Sequence, residues 1–168
     1  NSFNGQSLFG LPVVLVEKDT VLFKADGVCL SLSHDLDFRP YLYPISSQDA
    51  LYAAFFKKVG VKDEATAVHY CNVLAAVYAD SHDKTQLNAN QLITVKRAVH
   101  HLFLVIKTQG ELAHNGDVDT LYLPAVDGKL HTSSSLYYND TVFETQRLKE
   151  GLEDRFLLLE KLSVTHLE

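Results

Sequence analysis

The sequence predicts an α+β domain: a three-helix core flanked by two small antiparallel β units, with a C-terminal helix. Three patterns predict it. Short apolar runs bounded by turn residues crowd positions 11–44 and return at 121–139. Between them, apolar residues recur every three or four positions. A leucine-rich amphipathic run closes the chain.

The elements follow in order. Residues 1–10 are polar and glycine-bearing and read as a linker or loosely held end, leaving 11–168 as one domain. The VVLV run at 13–16 suits a buried strand, and EKDT supplies a turn into the returning VLF strand at 21–23. The KADG corner then leads to VCLS at 28–31. Pro40 and Pro44 bracket an extended PYLYP stretch, because proline biases its predecessor away from helix.

Ser46, Ser47 and Asp49 offer caps for a first helix with a stripe of Leu51, Ala54, Phe55 and Val59, stopped by Gly60. Asp63 or Thr66 opens a second, whose stripe is Ala67, Cys71, Leu74 and Tyr78. Asn88 or Asn90 opens a third, with Leu92, Val95, Val99, Leu102, Phe103 and Ile106 on one face. The loop at 114–117 precedes the second β unit, LYLPAVDGKLHTSSSLYYND at 121–140, where Asp127-Gly128 is a strong turn dipeptide. Pro124 belongs at a strand end or edge. Residues 144–162 form the closing helix, with Leu148, Leu152, Phe156 and Leu159 on one face. Leu157, Leu158 and Leu162 widen that face, so it is either well buried or docked on a further surface. The segments 20–31 and 128–139 share one layout: strand, polar corner, short strand.

Composition narrows function. With 168 residues, 46% hydrophobic and 21% charged, the chain can bury a sizeable core and is not a disordered one. The net charge of -6 and the isolated pairs Lys57-Lys58 and Lys96-Arg97 argue against nucleic acid as a partner. Cys29 and Cys71 lie outside any CxxC spacing, which fits a reducing compartment and a cytoplasmic location. No apolar run reaches the roughly 20 residues of a membrane span. The absence of methionine marks the chain as an expected excerpt from a longer polypeptide.

Candidate chemistry is thin. Adjacent His100 and His101 point about 100° apart on a helix and cannot share a metal, so one is expected partly buried and the other exposed. His69, Cys71 and His82 lack a fourth ligand. His131, Asp127 and Ser133 to Ser135 include the residue types of a nucleophilic triad, but no GxSxG elbow is present and corner serines ordinarily cap backbone groups. Asp117, Asp119 and Asp127 lack EF-hand spacing. No GxGxxG or GxxxxGK[ST] motif is present. No cofactor, metal or independent enzymatic activity is expected.

The LYLP…DG.L…..L.YND pattern, preceded by RPYLYP at 39–44 and AAFFKKVGV at 53–61, resembles the sacsin repeat family over roughly residues 11–147. In that family each large repeat begins with a nucleotide-binding domain similar to a heat-shock chaperone ATPase. No position here matches that domain's hallmarks, so the resemblance implies the non-ATPase part of a repeat. It implies a structural or interaction module that contacts protein clients, chaperone machinery or other domains of the same polypeptide. The expected contact residues are Arg39, Tyr41, Tyr43, Tyr138, Asn139, Asp140 and Arg147. An alternative implication is an accessory domain completing a neighbouring ATPase site, with Arg39 or Arg147 reaching toward nucleotide. An arginine aimed outward without an internal carboxylate partner would favour it. Tyr41, Tyr43, Tyr52, Phe55 and Phe56 divide between core and a protein-binding groove.

Overall fold

A computed structural model of the chain describes residues 11–12, 14–16, 21–32, 36–45, 52–84, 86–109 and 120–136. The linker at 1–10, the loop at 114–117, the YND end of the signature and the C-terminal helix expected at 144–162 lie outside the described residues.

Strands β1 (Val14–Val16) and β2 (Val21–Phe23) pair antiparallel with Leu15 opposite Leu22. A 3-10 turn at Ala25–Gly27 leads into β3 (Val28–Ser31). In the second β unit, β6 (Tyr122–Pro124) pairs antiparallel with β7 (Leu130–Thr132), and a 3-10 turn at Ser133–Ser135 follows. The strand and polar corner shared by segments 20–31 and 128–139 are therefore present in both. Pro124 ends its strand in a two-stranded ribbon, where a missing N–H costs least.

A third sheet was not foreseen. β3 is its centre, with β4 (Tyr43–Pro44) and β5 (Lys62–Glu64) both parallel to it. β5 reads Lys-Asp-Glu and is exposed throughout, so it carries no apolar signal; its charges suit an edge. The PYLYP stretch is extended only from Leu42 onward. Phe38 to Tyr41 form a tight turn, closed by the Tyr41 N–H donating to the Phe38 carbonyl at 2.9 Å, and the Arg39–Pro40 bond is cis.

Helix α1 (Ala53–Lys58) is short and ends at Gly60, whose φ of 102° is the left-handed conformation expected of a glycine stop. Its inward face differs from the expected stripe. Ala54 and Phe55 are exposed, while Phe56 and Val59 pack inward with Val14, Val28, Tyr43, Ile45 and Val61. Leu51 lies outside the described residues.

Helices α2 (Ala67–Ser81) and α3 (Ala89–Gln109) form the main core. Thr66 caps α2 through a reciprocal box with His69, and Asn88 caps α3 through one with Gln91. From α2 come Tyr70, Cys71, Val73, Leu74 and Val77; from α3 come Val95, Ala98 and Leu102. Cys29, Phe38, Leu42 and Leu130 join them, so both β units contribute to one helical core. The buried face of α3 centres on Gln91, Val95, Ala98 and Leu102. Phe103, expected inside, is 54% exposed. The shift is roughly 60° around the helix, at 3.6 residues per turn. Its cause is polar burial: Gln91 and Thr94 are inside, and Gln91 spends its amide on the cap.

Candidate interaction surface

The turn at 37–42 lies against α2 and α3 and carries the first expected contact residues. Phe38 and Leu42 anchor it, both fully buried. Phe38 meets the rings of Tyr70 at 5.6 Å and His101 at 6.4 Å, both edge-on. This seating puts Arg39 and Pro40 on the exposed tip.

Arg39 does not aim at empty solvent. Its Nε donates to Asp37 Oδ1 at 2.9 Å and a terminal nitrogen donates to Oδ2 at 2.6 Å. The Arg39 backbone N–H also donates to Asp37 Oδ1, at 3.0 Å. One carboxylate thus closes the turn and holds the guanidinium bidentately. Arg39 above all, with a smaller pull from Arg97, holds the Asp37 carboxyl at about 2, below its ordinary value. Arg97, from α3, also donates to the Asp37 carbonyl at 3.5 Å.

Tyr41 is half-buried, its hydroxyl in hydrogen-bonding company with Asp80 of α2 and Gln91 of α3. Burial first, then the Asp80 carboxylate, pushes its phenol above the usual value. Tyr43 is buried, with its ring 4.5 Å from that of Phe23. Tyr41 and Tyr43 therefore tie the turn and β4 to the core. The outward aromatics nearby in sequence are Tyr52, 63% exposed, and Phe55, 42% exposed. Tyr138, Asn139, Asp140 and Arg147 lie outside the described residues.

Asp127 and His131 are brought together: His131 Nε2 lies 2.8 Å from Asp127 Oδ2, both side chains largely covered. The other carboxylate oxygen accepts the Lys129 N–H at 2.9 Å. Ser135 caps, its Oγ donating to the Thr132 carbonyl at 2.8 Å, while Ser134 Oγ donates to the Thr132 hydroxyl. These contacts are turn architecture: Asp127 and Ser135 satisfy backbone groups of their own segment. A cavity of about 160 Å³ lies beside it, lined by Tyr78, Ser81, His82, Gln86, Lys129 and His131 among others.

His69, His100, His101 and the two cysteines are also placed structurally. His100 and His101 are both half-buried, not one in and one out, because His101 stacks on Tyr70 at 5.8 Å while His100 lies edge-on to His101. His69 is buried. Its Nδ1 accepts the Thr66 N–H at 3.1 Å, and its Nε2 is sealed from solvent without a hydrogen bond of normal geometry, beside the Val28 backbone. Burial pulls its pKa down. Burial drives the Cys29 thiol up to about 11 and raises Cys71 as well. Among the described residues no group of three or more His, Cys, Asp or Glu could hold a metal ion. Nor is any helix among them long and apolar enough to cross a membrane.

Sequence reading missed Asp37, Asp80, Gln91 and Arg97. Two of these had local signals. Asp two residues before Arg in DFRP is an Asx-turn pattern. NANQ at 88–91 is a capping-box pattern with asparagine as the cap. Asp80 and Arg97 meet the turn only through tertiary packing.

No protein-family model and no solved structure matches the chain. Sacsin of Homo sapiens is 32% identical over 156 residues, which cover 90% of this chain. The chain spans about 3% of the length of that relative. Nearly its whole length is thus aligned with one small part of a giant protein, in keeping with the signature at 121–140. The chain is a sacsin homologue, a sacsin-related α+β domain.

Proposed function

We propose that this chain is a non-catalytic structural and interaction module of a giant, chaperone-related sacsin-like protein of the cytoplasm. It contacts protein clients or chaperone machinery and the adjoining ATPase-like domain of the same polypeptide, with no role for nucleic acid. The similarity to sacsin supports the parent, and the observation that carries the role is the hold of Asp37 on Arg39. A residue that reached across to complete another domain's nucleotide site would have to surrender a bidentate, charge-assisted pair first. The turn instead spends Arg39 on its own closure. Asp127 and Ser135 are likewise engaged in turn and cap contacts.

The test is nucleotide hydrolysis by the adjoining ATPase-like domain, measured with and without this chain, alongside calorimetry of nucleotide binding to the mixture. Unchanged hydrolysis and binding are expected. A faster rate, or tighter nucleotide binding that Arg39→Ala or Arg147→Ala abolishes, would overturn the proposal in favour of an accessory catalytic domain.

A further inference from the structure

The box that opens α2 departs from the usual chemistry. Its third helical position ordinarily carries Glu or Gln, whose side chain accepts the N-cap N–H at neutral pH and well below it. Here the acceptor is an imidazole, a group that titrates near neutrality. Two donors converge on His69 Nδ1: the Thr66 N–H at 3.1 Å, and the Thr66 hydroxyl at 2.8 Å, whose own oxygen takes the His69 N–H. Nδ1 must therefore keep its lone pair, which puts the ring proton on Nε2. Nε2 is sealed from solvent beside the Val28 backbone without a hydrogen bond of normal geometry. An imidazolium suits neither end of this site. Its Nδ1 proton would meet two donors, and its charge would lie where water does not reach. The charged groups that bear on the ring from the packed elements are Asp26, in the 3-10 turn, and Lys62, in β5. They act in opposite directions, and burial outweighs both.

What the ring holds is equally specific. Val61 and His69 are buried, but none of the seven residues between them is. That stretch comprises β5, exposed throughout and paired on β3 at Lys62 and Glu64, then the N-cap and the first residues of α2. Ala65 and Ala67 reach the core only in part. With so few buried contacts, the stretch is attached by its backbone bonds and by His69. The ring also stands where the two apolar clusters meet, Val28 belonging to one and Tyr70 to the other. We propose that His69 is a proton-operated clasp. Neutral, it fastens residues 62–68 to the sheet and caps α2; protonated, it leaves its site and releases that stretch as a unit, baring one edge of β3 while the α2–α3 core stays folded.

Hydrogen–deuterium exchange on the full chain from about pH 8 to about pH 5, expressed as protection against free-peptide rates at each pH, tests this. The Thr66 and Tyr70 amides, both hydrogen-bonded with the clasp shut, and the β5 amides should lose protection by up to about tenfold per pH unit below about 6.5. Amides of Leu74 to Val77 and of Val95 to Leu102 should keep theirs. His69→Gln restores the usual box with a side chain that takes no proton, so its protection should not change with pH. If that variant folds poorly, the parent still decides: the loss at Thr66 must end where the His69 ring titrates by NMR. Constant protection in the parent would overturn the proposal. So would the same loss in His69→Gln, a loss that runs on below the titration of the ring, or a loss spread equally over α3, the mark of global unfolding.

Discussion

Replacing Gly128 by alanine tests how the second β unit is held to the helices. Gly128 has a φ of 81°, a conformation that L side chains resist. Its carbonyl accepts the Leu87 N–H at 2.9 Å, and its own N–H donates to the Ala125 carbonyl at 3.1 Å. The turn therefore cannot relax to negative φ without losing the connection to the α2–α3 link. A Cβ at Gly128 would lie 3.2 Å from Gln86 Cγ and 3.3 Å from Cδ. Gln86 is exposed and can swing aside, so the steric share is small. The backbone share dominates and costs about 1–2 kcal/mol. For a chain of this size that lowers the melting temperature by about 2–4 °C per kcal/mol.

Urea unfolding of the parent, Gly128→Ala, Gly128→Asn and Gly128→Ala with Gln86→Ala separates the two causes. Asparagine is larger than alanine but tolerates left-handed backbone better. Backbone strain thus predicts that Gly128→Asn is the milder substitution and that removing Gln86 restores only a small fraction. An asparagine variant less stable than the alanine one, or full recovery on Gln86→Ala, would refute the reasoning and make the close contact the cause.

Three further outcomes follow from the charges and thiols. Asp37 has a depressed pKa in the folded chain, so its contribution is complete above the ordinary carboxylate value and is lost as pH falls through about 2. Because both partners are half exposed, Asp37→Asn should cost about 1 kcal/mol or less at neutral pH, and chemical denaturation with and without added salt at about 0.5 M, where the Debye length is roughly half its physiological value, checks it. His69 is also depressed, by burial. The neutral ring is native, so stability is full above the ordinary histidine value and declines as pH falls below it. Its imidazole should titrate by NMR at lower pH than in the urea-unfolded chain, and an equal or higher value there would remove the argument. Cys29 and Cys71, buried and pushed up by burial, should resist iodoacetamide until the chain unfolds. Mass spectrometry showing rapid alkylation of the native chain would contradict their placement.

The elements legible in the sequence are those whose causes are local. The hairpins at 14–23 and 122–132 announce themselves by short apolar runs and turn residues, though the first is not the buried strand expected, since Leu15 and Leu22 face outward, and the Gly60 stop by a conformation few other residues adopt. The parallel sheet is illegible because its strands are two to four residues long and lie far apart in sequence, and because β5 offers only Lys-Asp-Glu. Polar residues mislead for a related reason. Gln91 looks like a solvent residue until its amide is needed to cap α3 and to meet Tyr41, and this turns the inward face of the helix away from Phe103. The same ambiguity governs Arg39, Asp127, His131 and Ser135. Each has the atoms of catalysis, and each directs some of them to a turn, a cap or a neighbouring carboxylate. Drawing Arg39 or Ser135 to a new partner first breaks the turn contact it makes. Among the described residues, Tyr52 at α1 and Ile93 and Phe103 on α3 keep large apolar surface outward.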